Sequence, residues 1–91
     1  MRNEKRKNVR RSVRQGAALA GLDGSPLGTC LMVDVSVGGA RLMVKTSADL
    51  PDQFDIVLSR SGQLRRPCLV VWRSETIVGV RFLPIEWANG R

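Results

Sequence analysis

The chain has 91 residues, 43% of them hydrophobic, and a net charge of +7. This length allows one small domain, and this apolar fraction is typical of a folded chain rather than a disordered one. The chain has no histidine and two widely spaced cysteines, which argues against Cys/His zinc sites and against histidine-based catalysis. We therefore expect no enzyme activity, no metal and no other cofactor.

The positive charge is concentrated at the amino-terminal end of the chain. Residues 1–16 hold seven Lys or Arg residues against the single acid Glu4, whereas the rest of the chain is nearly neutral. Such a segment favours an anionic partner: nucleic acid, anionic lipid or a phosphorylated small molecule. We expect a flexible basic arm over residues 1–13. Arginines recur at four-residue spacing here, at Arg2, Arg6 and Arg10 within the arm and at Arg14 just after it.

Six short apolar runs follow the arm, separated by turn-forming residues. β-Branched residues within the runs and Gly, Pro and Ser between them predict strands rather than helices. The runs cover residues 17–22, 29–37, 40–46, 54–60, 64–73 and 76–83. Their near-regular spacing predicts an all-β domain over residues 14–85, an antiparallel barrel or sandwich, followed by a tail over residues 86–91.

The first run, AALAGL, follows basic residues as in a secretory signal peptide. It is short, contains Gly21 and is followed by DGSP instead of a small-residue cleavage site, so we reject that interpretation. No apolar run is long enough to span a membrane. Cys30 and Cys68 lie in strand-like runs, which favours buried free thiols in a reducing compartment over a disulfide. We therefore expect a cytoplasmic protein.

The second predicted strand, TCLMVDVSV, carries polar residues near its end. Period-2 alternation puts the odd-numbered residues of 31–37 on one face, and Asp34 and Ser36 on the other, just before Gly38 and Gly39. Taken alone, this pattern also fits an Asx or Ser turn that closes a hairpin. A carboxylate here can accept N–H donors, a hydroxyl can donate or accept, and a glycine allows close approach or positive φ.

The two polar segments together resemble a known family. Arg6-x-x-x-Arg10, followed by Asp34-x-Ser36-x-x-Gly39, resembles the paired RxxxR and (D/N)xSxxG motifs of PilZ domains. The runs VVWR and VGVRFL are similar to the last two barrel strands of that family. The resemblance implies a six-stranded antiparallel β-barrel that binds the bacterial second messenger cyclic di-GMP. The ligand-binding residues that it implies are Arg6, Arg10, Asp34, Ser36 and Gly39.

The arginine motif can also be placed in a second register, because Arg10 and Arg14 have the same spacing. The stretch QGAAL is similar to the Gly-Ala that opens the first strand in the family, which favours Arg6 and Arg10. Arginine forks suit phosphate oxygens and guanine O6 and N7, and they stack on purines. Trp72 fits a core or rim position as well as a stacking one. The additional candidates are Arg11, Arg14, Gly38, Trp72 and Arg73.

The resemblance implies a cyclic di-GMP receptor whose arm rearranges on binding and so signals to a partner protein. The output would be motility, biofilm or exopolysaccharide control. Two alternatives stay open: a barrel of the same fold that contacts only proteins, and a nucleic-acid binder that uses the arm. The near-neutral body and the scarcity of aromatic residues argue against nucleic acid. No membrane insertion is expected.

Overall fold

The computed structural model describes residues 11–84. Six strands form a closed antiparallel barrel in the order β1-β2-β3-β6-β5-β4, which confirms the predicted six-stranded barrel. The strands are β1 (Arg11–Ala20), β2 (Pro26–Val35), β3 (Gly39–Met43), β4 (Gln53–Val57), β5 (Arg65–Arg73) and β6 (Ile77–Phe82). A 3-10 turn over Ser47–Asp49 lies between β3 and β4. Among residues 11–84, no helix has the length and apolar character needed to cross a membrane.

The barrel interior is filled by apolar side chains that face inward from every strand. The largest fully buried side chains are Phe54, Leu42, Ile56, Val78 and Cys68. Cys30 and Cys68 are free thiols in this core. Burial raises the pKa of Cys30 to about 11 and that of Cys68 to about 12. Near neutral pH both thiols are therefore protonated and act as small apolar packing groups.

A β-bulge interrupts β2 just before Asp34. Met32 and Val35 both pack against the core although they lie three positions apart, which a regular alternating strand does not allow. The pairing between β2 and β3 also shifts register between Met32 and Asp34. The expectation that residues 31–37 alternate regularly is therefore wrong, because the bulge exchanges the two faces partway along the strand. It leaves Asp34 on the outer face of the barrel wall.

Arg73 fastens the 3-10 turn to one end of the barrel. Its guanidinium donates to the carbonyl oxygens of Ser47 and Leu50, at 2.5 and 2.9 Å, and to Asp52 Oδ1 at 2.8 Å. The buried Ser47 hydroxyl donates in turn to the carbonyl of Ser74. Strand β3 runs from the β2–β3 hairpin down to this turn, so the two features lie at opposite ends of the barrel.

Candidate ligand-binding groove

A groove of about 570 Å³ lies on the outer surface of the barrel beside the β2–β3 hairpin. Strands β2, β3, β5 and β6 contribute its lining. The sequence-predicted residues that line it are Asp34, Ser36, Gly38, Gly39 and Trp72. The fold thus brings the Asp-x-Ser-x-x-Gly segment together with a tryptophan from a strand distant in sequence.

Cross-strand pairing sets four residues side by side along this groove. Asp34 of β2 pairs with Arg41 of β3. Arg41 pairs on its other side with Gly79 of β6, and Gly79 pairs with Trp72 of β5. Neighbouring strands are about 4.8 Å apart, so the row extends over about 14 Å. A carboxylate, a guanidinium and an indole therefore line the same outer face.

Asp34 and Arg41 form an ion pair within the row. Arg41 Nε donates to Asp34 Oδ2 at 2.6 Å, and a terminal nitrogen of the same guanidinium contacts the same oxygen. The Asp34 side chain is 10% exposed and the Arg41 side chain 47%. The carboxylate is thus fixed in the barrel wall, while the guanidinium that neutralises it remains open to the groove.

The β2–β3 hairpin places Ser36 and Gly39 at the two ends of its turn. The N–H of Ser36 donates to the carbonyl of Gly39 at 2.8 Å, and the Ser36 hydroxyl lies 3.4 Å from the same oxygen. A Cβ on Gly39 would lie 2.1 Å from the carbonyl oxygen of Val80. Gly39 is therefore required by the close approach of β3 to β6. It does not adopt a positive φ.

Trp72 covers Gly79 from the neighbouring strand. A Cβ on Gly79 would lie 2.2 Å from the indole Nε1, so the ring lies directly on this glycine. A bulge in β5 brings it there: Val70 pairs with Val80, and Trp72, two residues later, pairs with Gly79. Trp72 is 46% exposed. The tryptophan therefore belongs to the groove surface and not to the core.

Two arginines of the groove, Arg41 and Arg81, are absent from the sequence-predicted site residues. Arg81 is exposed on β6 and pairs with Gly39. Arg41 could have been found by counting hairpin register, since a turn closed by Ser36 and Gly39 aligns Asp34 with Arg41. The position of Arg81 depends on the pairing of β3 with β6, which join distant segments and leave no such local signal.

The arm residues Arg6 and Arg10 lie outside the described residues. The described chain enters β1 at Arg11, which is exposed and pairs with Val35 beside the groove. The arm is therefore joined to the barrel on the β2 side of the groove. Arg14 is also exposed on β1, but it does not line the groove.

Arg73 also does not line the groove, although it directly follows Trp72 in β5. Its guanidinium is engaged instead by the carbonyl oxygens of the 3-10 turn. As for metal binding, residues 11–84 contain no group of three or more His, Cys, Asp or Glu side chains placed to hold an ion.

Comparison with known proteins agrees with this architecture. The PilZ domain family pattern matches residues 4–90. The PilZ domain of CeSA from a cellulose-synthesizing bacterium is similar in structure, with a TM-score of 0.63 at 21% identity over 89% of this chain and 86% of that chain. The PilZ domain of YcgR from Escherichia coli, solved with cyclic di-GMP, has a TM-score of 0.61 at 18% identity over 88% of this chain and 79% of that chain.

At these identities the two structures show a shared fold. A comparison with curated proteins finds no match. The family pattern covers nearly the whole chain, and the chain folds into the corresponding closed barrel. The chain therefore belongs to the PilZ domain family.

Proposed function

We propose that the groove binds cyclic di-GMP and that the domain is a receptor without catalytic activity. The observation that carries the proposal is the juxtaposition of Asp34, Arg41 and Trp72 on one outer face. Family membership and a structural neighbour solved with cyclic di-GMP support the choice of ligand. The free thiols favour a reducing compartment, so we propose a cytoplasmic location.

Each chemical part of the ligand has a suitable group in the groove. Cyclic di-GMP contains two guanines and two phosphates in one ring. The Asp34 carboxylate accepts guanine N–H donors, and the Ser36 hydroxyl adds a short donor or acceptor. The open surface of Trp72 offers a stacking platform for a purine. Arg81, exposed beside Gly39, offers a planar fork to a phosphate.

The basic arm supplies the remaining positive charge. We place Arg6 and Arg10 over the bound ligand, on its phosphates or on guanine O6 and N7, with Arg10 and Arg14 as the alternative pair. The division into an arm, a barrel and a tail belongs to this proposal, but β1 begins at Arg11, so the arm of 1–13 expected from the sequence is shortened to residues 1–10. Ordering the arm costs conformational entropy, which pairing with phosphate offsets.

The rearranged arm is the signal in this proposal. A segment that closes over the ligand changes the surface next to the β2 side of the groove, where the arm joins the barrel. A partner protein that distinguishes the two arm positions then reads the ligand concentration. Control of motility, biofilm formation or exopolysaccharide synthesis is the proposed output.

A titration of the wild-type chain with cyclic di-GMP, GTP and a short single-stranded nucleic acid tests the choice of ligand. We expect cyclic di-GMP to bind with a Kd on the order of tens of micromolar or lower, and GTP to bind more weakly because it offers one guanine. Tight binding of the oligonucleotide, with an affinity that falls steeply as salt is added, would instead identify the arm as a nucleic-acid-binding segment. Binding of none of the three would favour a barrel that contacts only proteins.

A further inference from the structure

The ion pair of Asp34 and Arg41 retains hydrogen-bonding capacity toward the groove. Both contacts from Arg41 go to one carboxylate oxygen, Oδ2. Within residues 11–84, no hydrogen bond reaches Asp34 Oδ1 or leaves Arg41 Nη1. Oδ1 and Nη1 are therefore the atoms of the pair that no other residue in this part of the chain engages, and both residues line the groove.

The chemical groups of this pair can complement the base-pairing edge of guanine. That edge presents in sequence an acceptor, O6, and two donors, N1–H and the N2 amino group. An arginine N–H next to a carboxylate offers the complementary sequence of one donor followed by two acceptors. Adenine presents an amino donor where guanine has O6, and a ring acceptor where guanine has N1–H. Adenine would thus set donor against donor and acceptor against acceptor.

We propose that Arg41 is the specificity-determining residue of the groove, donating to guanine O6 while Asp34 accepts from N1–H and N2–H. This inference rests on the proposed function. The exposure of the two side chains fits their roles: the carboxylate is 10% exposed and fixed, whereas the guanidinium is 47% exposed. Arg41 can keep Nε on Asp34 and turn a terminal N–H to O6. A site built in this way rejects a base that leaves its polar groups unpaired.

The test is the affinity ratio between cyclic di-GMP and cyclic di-AMP, measured by calorimetry for the wild type and for Arg41→Ala. We expect the wild type to prefer cyclic di-GMP strongly. Arg41→Ala should lower cyclic di-GMP affinity by about 10- to 100-fold and narrow the ratio by about the same factor. Arg41→Lys, which keeps a charged donor, should retain most of the ratio. Preference for cyclic di-GMP over its inosine analogue, which lacks N2, should depend on Asp34 and survive Arg41→Ala.

A matched control separates base selection from a general loss of charge. Arg81→Ala removes an exposed arginine of the same groove that we assign to phosphate, so it should weaken both dinucleotides equally and leave the ratio unchanged. Where Arg41→Ala fails to fold because Asp34 loses its partner, Arg41→Met carries the same test, since it keeps a long side chain without an N–H donor. If the wild type binds cyclic di-GMP but Arg41→Ala leaves the affinity ratio between cyclic di-GMP and cyclic di-AMP unchanged, this inference alone is overturned. A wild type that does not bind cyclic di-GMP overturns the proposed function as well.

Discussion

The indole of Trp72 lies directly on Gly79, so that a single methyl group at position 79 would meet its Nε1 at 2.2 Å. The aromatic surface of the groove therefore depends on a glycine in the adjacent strand. Gly79 also separates Trp72 from Arg41 in the cross-strand row. A larger residue there would disturb the tryptophan and the charged end of the groove together.

Gly79→Ala should displace the indole and weaken cyclic di-GMP binding while the barrel stays folded. Stacking of a base on an aromatic ring contributes about 1–3 kcal/mol, so the loss should approach that of Trp72→Ala. Fluorescence in a Trp87→Phe background reports Trp72 alone, because the chain has two tryptophans. Gly16→Ala is the matched control, since its Cβ would lie 3.9 Å from the Cys30 carbonyl, an ordinary contact. Unchanged fluorescence and binding in Gly79→Ala would contradict the stacking role.

Gly39→Ala should destabilise the barrel itself. The added Cβ would lie 2.1 Å from the carbonyl oxygen of Val80, and backbone cannot rotate away as a side chain can. We expect a loss of about 1–3 kcal/mol in the free energy of unfolding, measured by denaturant titration, together with weaker ligand binding. A variant as stable as the wild type would show that Gly39 serves the ligand rather than the contact between β3 and β6.

Arg73→Ala should reduce stability and leave cyclic di-GMP affinity unchanged. The guanidinium donates to two carbonyls and to Asp52, and hydrogen bonds to a charged group contribute about 1.5–3 kcal/mol. Unfolding in denaturant and calorimetry on the same preparation separate the two effects. A folded Arg73→Ala protein that binds cyclic di-GMP more weakly would show that Arg73 is a ligand-binding residue, as the sequence allows.

The buried thiols should make the barrel sensitive to alkaline pH. Burial raises the pKa of Cys30 from 9.0 to about 11 and that of Cys68 from 9.0 to about 12. Between pH 9 and pH 11–12 the thiols of the unfolded chain have lost protons that those of the folded chain keep. The thiols therefore leave the free energy of unfolding unchanged below pH 9 and lower it as the pH rises through this window. Each thiol contributes about 1.4 kcal/mol per pH unit in that window.

Denaturant unfolding between pH 8 and 11 measures this slope, and Cys30→Ala/Cys68→Ala is the matched control. The double variant should be less stable at pH 8 but should lose less stability on alkalinisation. Thiol reagents at pH 8 should label neither cysteine until the chain is unfolded. Rapid labelling of the folded wild type would contradict the burial of the two thiols.

The strands and the β2–β3 turn could be predicted from the sequence because they depend on local patterns. Apolar runs between Gly, Pro and Ser residues indicate strands, and Asp34 and Ser36 before two glycines indicate a polar turn at a hairpin. The bulges in β2 and β5 could not be predicted in this way, because a bulge changes the face of the residues that follow it without changing the composition. For that reason the core-facing positions of β2 and the outward position of Trp72 required the structure.

The candidate site follows the same division. Asp34, Ser36 and Gly39 lie close together in sequence and could be grouped from it. Arg81 and Trp72 reach the groove only through pairings between distant strands, which sequence periodicity does not specify. Arg73 shows the converse: it follows Trp72 in sequence, yet its side chain binds the 3-10 turn and does not line the groove.

Titration of ¹⁵N-labelled protein with cyclic di-GMP, followed by NMR, tests the central claim most directly because it locates the ligand. We predict large shifts of the Ser36, Gly38 and Gly39 amides and of the Trp72 indole N–H. The amides of Lys45 and Thr46, near the opposite end of the barrel, should stay in place. If saturating ligand shifts the Lys45 and Thr46 amides and not those of the groove, the account is contradicted. It is also contradicted if saturating ligand shifts neither set.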